Sequence, residues 1–210
     1  MKASNSPLPC SVAFETGTGV IPEATAHYQK RLSDLRGLFL DSEALELRIQ
    51  KENDPICYEN YGFNQNQADG DIFFGTTIIY PGKVGSEYHL TRGHYHRKRD
   101  HAETYQALSG HGLVLFERED GTTCNAELAP GKVTYVPPFW AHRSVNTSNV
   151  PLVFLWTCPV EAGHDYEGLR GRGMLQVVVD RNGVPTVEDR PGPQSETRDP
   201  ERTQHSVNLF

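Results

Sequence analysis

Gly93-His94-Tyr95-His96, then Glu103, and much later His142, form the stretch around which the chain is organised. On a β-strand successive side chains alternate faces, so His94 and His96 point the same way. Arg97-Lys98-Arg99-Asp100 reads as a polar loop, and Glu103 opens the next strand. Tyr135-Val136-Pro137-Pro138-Phe139-Trp140-Ala141-His142 brings a third imidazole just past a turn. Three imidazoles and one carboxylate suit a borderline divalent metal such as iron, manganese, nickel, cobalt or zinc. Two ligands on one strand, one on the next and one on a distant strand is an arrangement that a small antiparallel barrel can provide. Alone, His94 and His96 could equally be scattered surface histidines. Glu103 and the Pro-Pro approach to His142 turn the balance toward a metal site.

The flanking sequence is all-β. Ile56–Tyr61 alternates weakly, and Ile72–Tyr80 is β-branched, aromatic and uncharged up to the turn at Pro81-Gly82. Glu87–His96 reads as one strand, followed by Glu103–Leu108 and Gly112–Glu117. Then come Asn125–Leu128, Lys132–Val136, His142–Asn146 and Pro151–Cys158. Short strands between regularly spaced turn signals indicate a sandwich or barrel. Asn182-Gly183 between Leu175–Asp180 and Val184–Glu188 is the strongest hairpin signal in the chain.

Toward the N-terminus the pattern becomes helical. Pro22-Glu23 opens a stretch in which Tyr28, Leu32, Leu35 and Phe39 share one helical face, with Gly37 weakening its far end. Ser42–Gln50 suggests a second short helix with Ser42 as N-cap. The expected organisation is an arm with short helices over 1–54, a barrel over 55–190 and a flexible tail over 191–210. A chain of 210 residues with 37% hydrophobic and 22% charged residues is ordinary for one globular domain. The net charge of -7 argues against nucleic acid as a partner. No stretch is long and apolar enough for a membrane span or a secretory signal. Cys10, Cys57, Cys124 and Cys158 form no C-x-x-C pair and read as reduced thiols in a cytoplasmic protein.

The two histidine-bearing stretches resemble the paired motifs of the cupin superfamily, a double-sheet β-barrel with a metal in its mouth. The surrounding residues are more specific. Thr76-Thr77-Ile78-Ile79-Tyr80-Pro81-Gly82-Lys83-Val84-Gly85, Thr91, Ala102-Glu103-x-Tyr105, Val136-Pro137-Pro138-x-Trp140-Ala141-His142-Arg143 and Ala162-Gly163-His164-Asp165-Tyr166 are similar to the cupin-type glucose-6-phosphate isomerases. The likeness runs from about Pro22 to Asp189. It implies a homodimeric cytoplasmic enzyme of glycolysis and gluconeogenesis that interconverts glucose 6-phosphate and fructose 6-phosphate. It implies one divalent metal per subunit, Fe2+ ahead of Ni2+, Mn2+ or Zn2+, held by His94, His96, Glu103 and His142. It implies Thr77, Thr91 and Gly93 at the phosphate, and Tyr58, Tyr105, His164 and Tyr166 around the sugar. At Cys158 the chain departs from its relatives, which tend to carry a tyrosine there.

Within that expectation Glu103 is the candidate base for proton transfer through an enediol, since it is the only carboxylate of the cluster. Tyr105, two residues on, shares its face. A direct hydride shift, which needs no base, is the alternative. Thr91 and Gly93 have the wrong parity to face the same side as His94 and His96 on a regular strand, so a bulge at Gly93 is expected. Arg92 and Lys98 are further phosphate candidates. Lys83 is read as solvated, and His89 and His101 as non-ligands. The competing readings are a cupin dioxygenase on the same four ligands and a non-catalytic sugar-binding cupin.

Overall fold

Alternation along each strand sets which residues face inward, and the strands themselves follow the turn punctuation closely. The computed structural model describes residues 8–65, 68, 70–169 and 173–192. Its elements are β1 (Ala26–Arg31), α1 (Ser42–Lys51), β2 (Ile56–Phe63), β3 (Ile72–Ile79), β4 (Lys83–Val84), β5 (Glu87–Tyr88) and β6 (Tyr95–His96). They continue with β7 (Glu103–Ser109), β8 (Gly112–Glu117), β9 (Thr123–Leu128), β10 (Val133–Val136), β11 (Ala141–Asn146), β12 (Leu152–Pro159), β13 (His164–Asp165), β14 (Gln176–Arg181) and β15 (Val184–Asp189). The tail expected over 191–210 lies outside the described residues from residue 193 onward.

One layer is a six-stranded antiparallel sheet in the order β1-β2-β3-β12-β7-β10. The other is assembled from β9-β8-β11, the pair β6-β13 and the set β4-β5-β14-β15. The segment 87–96 joins these pieces, because Leu90 bridges Val145 and His94 bridges His142 on β11. This is a double-sheet barrel of the kind that the resemblance to the cupins implies, with α1 as its short helix. Tyr58, Ile79, Leu90, Val114, Leu115, Leu152 and Phe154 are buried in one hydrophobic cluster.

Three local expectations change. Residues 26–31 are not helical: they form β1, which pairs with β2 in register from Ala26↔Gly62 to Lys30↔Tyr58. A short isolated helix is marginal in water, whereas the exposed edge of β2 offers a complete ladder of partners. Leu32 and Leu35 are nevertheless buried as the apolar spacing implied, in a 3-10 turn, and Phe39 joins them in the core. Each such burial stabilises by about 1.5–3 kcal/mol. Asp41, not Ser42, caps α1, with its Oδ1 accepting from Ala44 N at 2.8 Å. Lys83 is not merely solvated, since it sits in β4 and pairs with Asp180.

The strand read over Glu87–His96 is interrupted. From Leu90 to His94 the chain takes four steps, while the partner strand takes three between Val145 and His142. One residue is therefore extra, and Gly93 has φ +76°. This is the bulge that the parity of Thr91 and Gly93 called for. At the other end of the chain Asn182 and Gly183 have φ 57° and 83°, the two positive values of a type I′ turn, closing the β14–β15 hairpin.

Candidate active site

His94, His96, Glu103 and His142 converge so that one ligand atom from each lies within 4.8 Å of all the others. β6 and the bridge before it carry the first two, β7 carries Glu103 at its first residue, and β11 carries His142. Glu103 Oε2 lies 3.2 Å from Nε2 of both His96 and His142. Two ligands at adjacent positions of an ion bound at about 2.1 Å would stand about 3.0 Å apart, so these spacings match edges of a coordination polyhedron. Nε2 of His94 is buried without a hydrogen-bond partner, and Nε2 of His142 is buried facing only the Glu103 carboxylate. Buried polar atoms are rarely left unpaired, and an ion held between these four residues would satisfy both. The donor set, one carboxylate and three imidazoles, fits a divalent metal.

The ring orientations are set from behind. His96 Nδ1 faces the His101 carbonyl at 2.8 Å, and His142 Nδ1 faces the Trp140 carbonyl at 3.3 Å. A proton on Nδ1 donated to a carbonyl leaves Nε2 as the ligand nitrogen. His101 thus supports the site through its backbone and is not a ligand. His89 is also no ligand: its ring lies between the Tyr80 carbonyl and Arg48, and burial followed by the Arg48 charge lowers its pKa to about 4. Burial favours the neutral form of Glu103. Hydrogen bonds and charges from His142 and His96 overcome this and hold it down at about 2, so it is an anion at neutral pH. Burial, then the charges of His142, His164 and His96, pushes His94 well below the ordinary histidine value. Burial lowers His96 as well, but its contact with Glu103 raises it overall.

Over the cluster opens a pocket to which Tyr58, Thr77, Thr91, Gly93, His94, Glu103, Tyr105, His164 and Tyr166 all contribute. His96 and His142 lie beneath these residues and are buried. Strand parity explains the delivery: Tyr58, Thr77 and Tyr105 occupy inward positions of the six-stranded sheet. His164 and Tyr166 come from β13 and the turn after it, with their rings stacked at 5.8 Å and 9° and His164 4.3 Å from His94. Arg92 also lines the pocket, its guanidinium 4.8 Å over the Tyr166 ring.

Sequence reasoning did not single out Tyr28, Asn60, Ser144, Phe154 or Trp156, which line the pocket too. The spacing of Tyr28, Leu32, Leu35 and Phe39 points instead to a helix face. Asn60 and Trp156 follow only from inward parity once the β2–β3 and β3–β12 registers are known. Cys158 lines the pocket, and burial, followed by the Glu103 charge, raises its thiol pKa.

Comparison with known proteins places this arrangement in a family. The family model described as Glucose-6-phosphate isomerase (GPI) matches residues 29–192. The chain is 47% identical to the glucose-6-phosphate isomerase of Pyrococcus abyssi over 87% of its own length and 96% of that protein's. It is 44% identical to that of Thermococcus litoralis over 87% and 95%, and 41% identical to that of Sinorhizobium medicae over 83% and 82%. With its ligand cluster, its bulged strand and this match over most of its length, the chain belongs to the glucose-6-phosphate isomerase family.

Proposed function

We propose that this chain interconverts glucose 6-phosphate and fructose 6-phosphate in the pocket above His94, His96, Glu103 and His142. The observation that carries the reading is the joining of that ligand cluster to hydroxyl and amide donors suited to a phosphate, in a member of this family. The same four residues would hold one divalent metal per subunit. We favour Fe2+, ahead of Ni2+, Mn2+ and Zn2+, on the resemblance to the cupin-type enzymes, since imidazole and carboxylate donors suit all four. When bound, such an ion supplies Lewis-acid polarisation of the substrate's oxygens.

The phosphate end is assigned from hydrogen-bond accounting. Thr77 Oγ1 accepts from Asn60 Nδ2 at 2.9 Å, and Thr91 Oγ1 accepts from Ser144 N at 3.1 Å. Each hydroxyl thus uses an oxygen lone pair inside the protein and keeps its proton for the pocket. The Gly93 N–H makes no hydrogen bond among the described residues, and its positive φ lets the backbone approach a ligand closely. Tyr58, His164 and Tyr166 then face the sugar.

Glu103 is assigned as the base that takes the proton from C2 and returns it to C1. Its contacts with His96, His142 and the Tyr105 hydroxyl all fall on Oε2, at 3.2, 3.2 and 3.3 Å. Oε1 has no hydrogen bond among the described residues. One oxygen can therefore stay with the cluster while the other accepts a proton, which favours the enediol route over a hydride shift. Tyr105 orients the carboxylate by donating to Oε2.

The decisive experiment is a coupled assay with fructose 6-phosphate before and after chelation. Turnover should vanish with the metal and return with a divalent ion. Full turnover in a verified metal-free sample would sink the reading.

The protein is further proposed to be a cytoplasmic homodimer, with the arm over 1–54 and the barrel over 55–190 acting as one unit and 191–210 as a tail. Val133 and Tyr135, exposed on the edge strand β10, and the four free cysteines support this. Among the described residues no helix is long and apolar enough to cross a membrane. Light scattering that gave a monomer at micromolar concentration would contradict the dimer, and cell fractionation tests the location.

A further inference from the structure

Tyr28 stands on β1, the outer strand of the six-stranded sheet. The register places it beside Asn60 of β2, which in turn lies beside Thr77 of β3. Tyr28, Asn60 and Thr77 therefore form one cross-strand row on the inner face, with neighbouring strands about 4.8 Å apart. All three line the pocket. The Tyr28 ring meets Tyr58 edge-on, at 6.4 Å between centroids and 78° between planes. It is 41% exposed, so it forms the rim of the pocket rather than its floor.

Four phenols among the described residues surround this pocket. Tyr105 already donates to Glu103, and Tyr58 is buried below the rim. The hydroxyls of Tyr28 and Tyr166 make no hydrogen bond among the described residues. Burial raises the Tyr28 pKa, with smaller contributions from Tyr166 and Glu103, so the phenol stays protonated. A protonated, uncommitted phenol directed at a polar ligand site is a hydrogen-bond donor waiting for an acceptor. Across the sheet Cys158 offers only a thiol, a weak donor.

We propose that Tyr28 is a substrate-binding residue, donating its hydroxyl to the sugar phosphate from the rim formed by β1. The inference rests on the assignment of this pocket to the sugar phosphate. It gives the N-terminal arm a direct part in substrate recognition.

The test compares the full-length parent with Tyr28→Phe and Tyr28→Ala. Metal content, thermal midpoint, kcat and KM for fructose 6-phosphate are measured on each. The Phe variant keeps the ring and the strand and should retain metal content and thermal midpoint. Its KM should rise about three- to tenfold with kcat within about twofold, the worth of one hydrogen bond to substrate. The Ala variant, which also loses the ring, should show a KM at least as high. A parent-like KM in Tyr28→Phe overturns the role of the hydroxyl, even if Tyr28→Ala is impaired. Lack of turnover in the parent overturns the pocket assignment and the Tyr28 role with it, so the two failures are distinguishable.

Discussion

The six-stranded sheet and the strand over 87–96 both line the pocket, yet they deliver side chains to it by different rules. In the sheet the rule is strict alternation. Tyr58, Asn60 and Gly62 on β2, Thr77 on β3, Phe154 and Trp156 on β12, and Glu103 and Tyr105 on β7 each contribute every second residue. In the strand over 87–96 alternation is broken once. The extra residue between Leu90 and His94 lets Thr91 and Gly93 share the pocket with His94. A regular ladder can present only one set of residues, and the bulge lets one strand present two. The proposed phosphate donors and metal ligands of this strand thus sit within six residues of each other.

Replacing Glu103 tests the point where both layers meet. Glu103→Gln keeps the size and one carbonyl oxygen, so His94, His96 and His142 should still retain metal. At matched metal content isomerisation should fall by about 10²–10⁴-fold, the usual worth of a general base. Parent-like turnover at equal metal content would remove Glu103 as base and favour a hydride shift. Deuterium from solvent should enter the product in the parent, and its absence would point the same way.

A smaller loss is expected from Gly93→Ala, which attacks the bulge. Its Cβ would stand 3.2 Å from both Cβ and Nε of Arg143, at a backbone φ of +76°. The strained conformation should cost about 1–2 kcal/mol of stability. Displacement of the donors around it should lower kcat/KM by on the order of 10²-fold. Retained kcat/KM with an unchanged unfolding midpoint would mean that the bulge does not position the site.

The mildest effect should come from the regular sheet. Thr77→Val keeps shape and β-propensity but removes the hydroxyl. KM for fructose 6-phosphate should rise by about two- to tenfold, with kcat and metal content near those of the parent. A loss as large as that of Gly93→Ala would erase the contrast between the two regions, because a ladder position should affect only its own contact.

The convergence of His94, His96, Glu103 and His142 was legible in the sequence because His and Glu carry their chemistry in their side chains, and their spacing survives folding. Even the irregularity at Gly93 could be inferred once the resemblance set Thr91 and Gly93 beside His94 and His96, since the two pairs differ in parity. Tyr28 was misread because Tyr28, Leu32, Leu35 and Phe39 have helical spacing, and only the free edge of β2 overrides it. The carbonyls of His101 and Trp140 that orient two ligand rings were invisible for another reason. Every residue has a carbonyl, so only tertiary geometry makes these two special. Asn60 and Trp156 belong to no motif and enter the pocket through register alone.

Arg99 carries a further consequence. Its guanidinium donates to the His96 carbonyl at 3.0 Å and to Asp165 at 2.7 Å, and lies 4.0 Å over the Tyr95 ring. Asp165 in turn accepts from the backbone of Glu167 at 2.9 Å, tying down the turn that follows His164 and Tyr166. One side chain therefore laces the strand that carries His96 to its neighbour β13 and the turn beyond it. In kinetic terms, that segment cannot swing outward without loosening the strand that carries His96. Entry of a sugar phosphate and escape of a bound ion should share one slow opening, and relaxation measurements on the two events would then return a common rate.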